Sequence, residues 1–243
     1  MHELLKPLKT ESLVEIFIRR FEELILSEKL SIGEKLLSER ELAMQLGVSR
    51  SVVHEGLIEL EARGLVKMKP RVGTFVSDYR RNGSLTLLNS LVDYSSGIPG
   101  PDILESMLKM RILIETETAG LAAINRTPEH LKEFKFIIDE EKIGDRSDIE
   151  LIVSLDFEFH LLTAIASGNM IYPLMLNSFK EVYTNLTREF FADSSTIEFV
   201  FNQHEKLFRA IEKKESKSAV KIMNEIISHG ESHLKKLLSV KKM

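Results

Sequence analysis

The sequence predicts a mainly α fold in two parts: a small N-terminal helix-turn-helix unit that closes with a β-hairpin, and an all-α helical bundle. Apolar residues recur at helical spacing along most of the chain, and near residue 64 the pattern changes briefly to the strict alternation of short strands. At 243 residues the chain can hold two domains that each bury a core. We place the boundary near residues 79 to 84, with domains at 1–80 and 81–243.

The composition excludes several classes of protein. With 43% hydrophobic and 29% charged residues, it is typical of a soluble globular chain. Because there is no cysteine, disulfides, thiolate metal sites and cysteine nucleophiles are excluded. The segment MHELLKPLKTESL lacks the apolar core of a signal peptide, and no apolar run reaches the roughly 18 residues of a membrane span, so we expect a cytoplasmic protein with no membrane partner. The net charge of -4 means that any DNA contact must come from a local basic patch.

The first predicted helix runs from Thr10 to about Ser27, and SEKLSIGEKL then interrupts the pattern around Gly33. One face of this helix is apolar, and we expect that face to be buried. The apolar positions are Leu13, Ile16, Phe17, Phe21, Leu24 and Ile25.

Two short capped helices follow. Ser38 and Glu41 form a capping box, in which each side chain satisfies the other residue's free backbone N–H, and Gly47 ends this second helix. A third helix starts at Ser49 or Ser51 and closes at Gly64. The expected buried positions are Leu42, Ala43, Leu46, Val53, Leu57 and Leu60. Two short helices joined by a glycine-containing turn make a helix-turn-helix.

The start of the third helix, GVSRSVVHEGL, presents three polar side chains on its outer face: Arg50, Ser51 and His54. A solvated face usually consists of Glu and Lys, whereas a donor-rich face at a helix N-terminus suits phosphates and base edges. Capped helices with an exposed arginine are common, so this stretch alone leaves both interpretations open.

A β-hairpin is predicted after Gly64. Val66 and Met68 alternate with Lys67 and Lys69, a turn follows from Pro70 to Gly73, and Thr74-Phe75-Val76 forms the second strand. Six basic residues lie in this region against one acidic residue, Asp78; they are Arg63, Lys67, Lys69, Arg71, Arg80 and Arg81. Lysines can simply protect a strand edge, but beside a helix-turn-helix they favour contact with phosphates, for which Lys69 and Arg71 are the candidates.

The remaining sequence predicts an all-helical bundle of six or seven helices. The breaks between helices are marked by Gly97-Ile98-Pro99-Gly100-Pro101, Thr127-Pro128, Gly144-Asp145 and Gly168-Asn169. The helical stretches are 84–95, 102–125, 128–143, 148–167, 170–192, 195–213 and 216–240.

The stretch KLLSERELAMQLGVSRSVVHEGLIELEARGLVKMKPRVGTFV resembles the winged-helix DNA-binding domain of the GntR family of bacterial regulators. The resemblance implies that Arg40, Ser49, Arg50, Ser51 and Gly73 contact operator DNA. The chain departs from the family at 54–56, where His-Glu-Gly replaces the common Arg-Glu-Ala, and at the turn 70–74, where Pro-Arg-Val-Gly-Thr replaces Pro-Gly-Arg-Gly-Thr. The first departure bears on which base His54 would contact. By helix propensity alone, the glycine at position 56 costs roughly 0.5–1 kcal/mol relative to alanine.

The second part of the chain resembles the helical effector domain of the FadR-type branch, called FCD, through LKMRILIETETAGLAA, LDFEFHLLTAIASGN and the segment around QHEKLFRAI. The segment ASGNMIYPLMLNSFKEVYTNLTREFFA is similar to the members of this branch that sense acyl-CoA, which implies effector contacts at Asn169 and Tyr172. Many FCD domains carry a metal held by one Asp and three His, beside an arginine that meets a carboxylate ligand.

A candidate metal cluster follows from residue types and spacing. Asp156 and His160 are four residues apart, so they share a helix face, and His204 lies on a later helix that can cross it. One carboxylate and two imidazoles suit a divalent transition metal such as Zn, Ni or Mn. The resemblance places the fourth ligand at Ile226, so the set is incomplete. A hydrogen-bonded polar pocket without a metal is the alternative.

Two further features have a functional and a structural interpretation. Arg111 lies in an apolar stripe, where a guanidinium needs an anion: either an acidic effector, or Glu115 or Glu117 in an internal salt bridge. His229 and His233 are also four residues apart, but they lie near the end of a Lys-rich helix where imidazoles favour the dipole and water, so we expect a structural role.

These observations favour a homodimeric transcriptional regulator, a repressor by our interpretation, that binds a palindromic double-stranded operator and responds to a small-molecule effector. An organic acid or acyl-CoA without an obligatory metal is favoured, because Ile226 removes an imidazole, although Leu234 stands where the acyl-CoA-sensing relative has an aromatic residue. Sensing through a metal at the Asp156 cluster is the alternative. A metal-dependent enzyme lacks an evident general base or nucleophile, and an RNA-binding module lacks an aromatic platform.

Overall fold

The computed structural model describes residues 12–85, 87 and 101–240. The chain divides into two compact units, Met1–Tyr94 and Ser95–Met243. The boundary placed near residues 79 to 84 stays a prediction. The predicted helix at 84–95 and the turn at 97–101 fall largely outside the described residues.

The first unit is a winged helix-turn-helix, as predicted. Its elements in chain order are α1 Leu13–Leu26, α2 Glu39–Leu46, α3 Arg50–Ala62, β1 Val66–Lys69, β2 Gly73–Val76 and α4 Tyr79–Asn82. The capping box of Ser38 and Glu41 is present, and Gly47 ends α2 with a left-handed backbone. A second capping box, between Ser12 and Glu15, starts α1 at Leu13 rather than at the predicted Thr10.

The buried face of α1 differs from the predicted one. Phe17, Phe21 and Ile25 are buried as expected, but Leu13 and Ile16 are exposed. Ile18 is buried in their place. Because α1 packs against α3 along one face, the apolar side chains of its first turn that lie off this face remain in solvent.

The hairpin pairs β1 and β2 in antiparallel fashion, from Val66 opposite Val76 to Lys69 opposite Gly73. Val66, Thr74 and Val76 are buried while Lys67 and Lys69 are exposed, so the predicted alternation is confirmed. The turn requires a left-handed backbone at Arg71, whose φ is 62°. This hairpin forms the wing.

The second unit contains seven helices within residues 101–240. They are α5 Pro101–Asn125, α6 Pro128–Ile143, α7 Ile149–Ala166, α8 Ile171–Ser178, α9 Lys180–Phe191, α10 Ser195–Glu212 and α11 Ser216–Val240. The prediction of one helix over 170–192 is wrong, because the chain breaks between α8 and α9 at Phe179. The backbone there leaves the helical region (φ -121°, ψ 25°), and the ring is buried. Phe179 is neither glycine nor proline, so no local signal marked the break.

The bundle core is built mainly from α5, α6, α7, α10 and α11. Phe134 and Phe159 are completely buried at its centre, with their ring centroids 5.3 Å apart. Three fully buried alanines on α5, Ala119, Ala122 and Ala123, allow neighbouring helices to approach closely. Among the described helices, none has the length and apolar character needed to span a membrane.

Candidate functional sites

The N-terminus of α3 presents the predicted DNA-contact residues together. The Ser49 hydroxyl caps the helix by accepting a hydrogen bond from the Val52 backbone N–H at 3.4 Å. Arg50, Ser51 and His54 are all exposed, and Arg40 is exposed on α2. An exposed set of donors at a capped helix N-terminus suits phosphate oxygens and base edges.

Glu39, at the first position of α2, links two of these residues. Its Oε1 lies 2.8 Å from His54 Nδ1, and its Oε2 lies 3.9 Å from Arg50 Nη2. Sequence reasoning missed Glu39, because its partners on α3 come from packing of the two helices and not from local spacing. The carboxylate therefore holds the His54 ring in place at the outer face of α3.

The wing carries the remaining predicted contacts. Lys69 and Arg71 are exposed, and the Lys69 ammonium lies 4.8 Å from the centroid of the Phe75 ring. Gly73 has a φ of 131°, and a Cβ there would meet the side chain of Lys35 at 2.7 Å. The wing backbone and the neighbouring Lys35 side chain therefore favour glycine at position 73, whether or not this residue contacts DNA.

Half of the predicted basic patch has internal partners. The Arg63 guanidinium lies 2.6 Å from Glu22 and 3.0 Å from Glu59, so this residue joins α3 to α1. Arg80 lies 2.9 Å and Arg81 lies 3.7 Å from Asp78. Lys67, Lys69 and Arg71 are exposed on the hairpin, and Lys69 and Arg71 stay the predicted phosphate contacts.

In the second unit, α7 and α10 bring the three predicted metal ligands together. Asp156, His160 and His204 are all buried, and one potential ligand atom from each lies within 4.8 Å of the others. Asp156 Oδ1 is 3.7 Å from His204 Nε2 and 4.0 Å from His160 Nε2. The i, i+4 spacing on α7 and the crossing of α10 produce this arrangement, as the sequence predicted.

A buried carboxylate stands behind each imidazole. Glu141 Oε1 lies 2.6 Å from His204 Nδ1, and Glu115 Oε2 contacts His160 Nδ1. Carboxylates in this position fix the tautomer and orientation of metal-ligating histidines. Both rings consequently turn Nε2 toward Asp156. Sequence reasoning missed Glu141 and considered Glu115 as a partner of Arg111 alone.

Arg111 forms the internal salt bridge that was one of its two predicted roles. Its Nε donates to Glu115 Oε1 at 2.6 Å, and its Nη2 donates to the Tyr183 hydroxyl at 3.0 Å. Tyr183 in turn donates to Asp156 Oδ2 at 3.0 Å. Arg111 is thereby connected to both ends of the metal-ligand cluster.

The electrostatics of the cluster follow from burial and from these contacts. Burial opposes ionisation of Glu115, but the Arg111 guanidinium and the His160 ring lower its pKa to about 2. Burial likewise disfavours a charged His204, yet Glu141 and Asp156 raise the pKa of that imidazole. Burial raises the pKa of Glu141.

The donor set fits a divalent cation. His204 Nε2 is buried without a hydrogen-bond partner and faces Asp156, as an unused ligand atom would. Across the cluster, Asp156, Glu115 and Glu141 can supply three negative charges and Arg111 supplies one positive charge, so a divalent ion would balance the excess of two when both imidazoles are neutral. Three protein ligands with an open position are typical of zinc sites that bind a further ligand.

A cavity of about 30 Å³ opens beside this cluster. Its polar lining is Arg111, Asp156, His160 and Thr187, and its apolar lining is Leu186, Phe190, Val200, Ile226, Ile227, Gly230 and Leu234. A space of this size holds an ion with a water or a very small ligand, whereas pockets for drug-sized ligands occupy roughly 300–1,000 Å³. An acyl chain would therefore require the surrounding helices to move apart.

Asn169 and Tyr172, the other predicted effector residues, are not part of this cavity lining. Asn169 lies in the turn before α8, where its Oδ1 accepts a hydrogen bond from the Ile171 backbone N–H at 2.8 Å. Tyr172 is half-buried on α8. Their role in effector binding stays a prediction.

His229 and His233 pack around Phe190, with ring centroids 6.0 and 5.3 Å from that of the phenyl ring. His233 Nε2 lies 3.6 Å from Asp193. Nε2 of each ring is buried, so the two imidazoles do not face water there as the sequence suggested. Their structural role stays a prediction.

Comparison with known families gives two matches along the chain. The family described as bacterial regulatory proteins, gntR family, matches residues 13–76. The FCD domain matches residues 106–229. The first match covers the helix-turn-helix and wing, and the second covers the metal-ligand cluster.

Individual relatives span most of the chain. The HTH-type transcriptional regulator LutR of Bacillus subtilis is 30% identical over 194 residues, covering 77% of this chain and 85% of LutR. The fatty acid metabolism regulator protein of Salmonella paratyphi C is 29% identical over 177 residues, covering 72% of this chain and 71% of that protein. The solved structure of Lar, which controls expression of the Listeria monocytogenes agr system, shares the fold at 16% identity, with a TM-score of 0.61 over 95% of this chain and all of Lar.

Proposed function

Because the chain belongs to the GntR family of bacterial transcriptional regulators and carries an FCD domain, we propose that it acts as a homodimer on a palindromic operator under the control of a small-molecule effector. The observation that carries the proposal is the exposed donor set of Arg50, Ser51 and His54 at the capped N-terminus of α3, beside a wing with exposed Lys69 and Arg71. Such a regulator works in the cytoplasm, where the chromosome is. Its homologues are transcriptional regulators, which disfavours an enzyme.

The effector we propose is a small organic acid. The cavity beside Asp156 places the guanidinium of Arg111, the cation that suits a carboxylate, next to an apolar lining of limited size. Arg111 already contacts Glu115 and Tyr183, so these partners hold it in place and a ligand need not order it. The small volume favours a short acid over a long acyl chain.

A second candidate is effector sensing through a metal held by Asp156, His160 and His204. The buried and unpaired His204 Nε2 favours it, together with the carboxylates behind both imidazoles. A bound divalent ion would supply a Lewis acid for an oxygen ligand of the effector. Ile226 contributes no donor, so the protein would provide three ligands.

Control of DNA binding then follows from linkage. If the effector binds the DNA-competent and DNA-incompetent forms unequally, operator affinity must change by the same factor as effector affinity. The test is to measure operator binding by fluorescence anisotropy while short carboxylic acids and long-chain acyl-CoAs are added, with and without a chelator. Release by a short acid supports the proposal, and release by acyl-CoA alone contradicts it.

Metal content separates the two candidates. Protein purified without chelator would contain about one transition ion per chain if the cluster is a working metal site, and His204→Ala would lose it. Metal-free protein that still releases DNA with a short acid would exclude the metal-dependent candidate.

A further inference from the structure

We propose that His54, oriented by Glu39, reads the exocyclic amino group of an adenine or a cytosine in the operator. The proposal rests on the proposed DNA-binding function and concerns which base edge is read. The resemblance to the family gives Arg-Glu-Ala as the common sequence where this chain has His54-Glu55-Gly56, so an arginine contact cannot be carried over to His54.

The first step is the contact between the two side chains. His54 Nδ1 lies 2.8 Å from Glu39 Oε1, and about half of the His54 side chain is exposed. An ionised carboxylate accepts hydrogen bonds and cannot donate them, so the proton of this contact resides on Nδ1. In the neutral ring, Nε2 is then an acceptor on the edge that points away from Glu39.

The second step is the match between this acceptor and the major groove. Adenine presents N6–H and cytosine presents N4–H as donors there, whereas guanine presents two acceptors, O6 and N7. Arginine carries donors alone and therefore selects guanine. A neutral histidine whose Nδ1 donates to Glu39 instead selects a base edge that presents a donor, which is the edge of adenine or cytosine.

The contacts of Glu39 explain how a carboxylate can be present at a DNA-binding surface. Less than a third of its side chain is exposed, and its two oxygens face His54 and Arg50. The positive charge of Arg50, 3.9 Å away, offsets the repulsion that a carboxylate exerts on phosphates. Glu39 is thus a positioning residue, which acts through His54 and Arg50.

The test uses the whole 243-residue chain in mildly alkaline buffer. Operator sequences are selected from random DNA with the natural protein and with His54→Arg, and the base position whose preference differs is identified. At that position, an analogue without the exocyclic amine should weaken binding of the natural protein by at least about 5-fold. The His54→Arg variant should prefer guanine and should lose affinity with 7-deazaguanine, which lacks N7.

Glu39→Gln tests the positioning role. Glutamine can donate or accept, so it no longer fixes the proton on Nδ1, and base preference at that one position should relax while preferences elsewhere persist. Glu55→Gln is the matched control: it also removes one carboxylate charge, at the exposed residue that follows His54 on α3. It should raise affinity for all sequences alike, because it reduces repulsion of phosphates without touching the His54 ring.

Three results would overturn the inference. The natural protein and His54→Arg could share the same base preference, or changing His54 or Glu39 could lower affinity equally for all sequences. The natural protein could also lose affinity with 7-deazaguanine at the position that His54 reads. A uniform loss would mean that His54 contacts a phosphate. If the natural chain showed no preference for selected over random DNA, the proposed function itself would fail, which is a different outcome.

Discussion

Arg50 stands in the first turn of α3 with 70% of its side chain exposed, which suits a bidentate contact to a guanine. We expect Arg50→Ala to weaken specific operator binding by roughly 1–3 kcal/mol, the usual value of one such contact. Thermal stability and oligomeric state should not change, since the side chain is not buried. Titration at fixed salt measures the effect, and equal binding by both proteins would remove Arg50 from the recognition surface.

Glu141 acts on the candidate metal site through His204, whose Nδ1 it contacts inside the bundle. We expect Glu141→Gln to lower metal affinity by about 10- to 100-fold, as is usual when a partner behind a ligating histidine is lost. Competition with a chromogenic chelator measures this. Glu133→Gln on the exposed face of the same helix is the matched control, and equal affinities in both variants would mean that Glu141 serves packing alone.

At the scale of single elements, two helical glycines should respond to alanine with opposite signs. At Gly56 in α3 a Cβ would clash with the ring of Phe17, whereas at Gly230 in α11 nothing lies within 4 Å. We expect Gly56→Ala to lower the free energy of unfolding by roughly 1–3 kcal/mol through overpacking. Gly230→Ala should raise it by about 0.5–1 kcal/mol through helix propensity.

Urea denaturation of both variants measures these changes. A Gly56→Ala protein more stable than the natural one would show that Phe17 moves aside without cost. The propensity argument from sequence, which counts Gly56 as a loss relative to alanine, would then be sufficient by itself.

The wing should contribute affinity without specificity. Lys69 and Arg71 are exposed on the hairpin, and exposed cations release counterions when they contact phosphates. We expect Lys69→Ala and Arg71→Ala to weaken binding to operator and random DNA alike and to reduce the slope of log affinity against log salt by up to about one each. A changed base preference would instead place the wing in contact with bases.

For the whole molecule, we expect two chains to bind one palindromic operator, because a two-fold symmetric dimer matches two inverted half-sites. Light scattering of the protein, alone and with an operator duplex of known mass, gives the number of chains per duplex. A duplex with one half-site randomised should bind much more weakly than the full operator. Tight binding of one chain to one half-site would contradict the dimer.

Features that depend on neighbours within three or four residues can be predicted from the amino-acid sequence. The capping box of Ser38 and Glu41, the left-handed Gly47, the alternation of the hairpin, and the Asp156 and His160 pair on one face of α7 all belong here. Local hydrogen bonds and the fixed periods of helix and strand set these features, so they can be predicted without the fold.

Which distant charged residues contact each other depends on tertiary packing. Glu39 and His54 are 15 residues apart, Glu22 and Arg63 are 41 apart, and Glu141 and His204 are 63 apart. No periodicity links such residues, because their contact depends on how whole helices cross, and a buried or half-buried charge then takes whichever partner lies within reach. The break at Phe179 has the same origin, since burial of its ring, and not a glycine or proline, accompanies the turn of the chain.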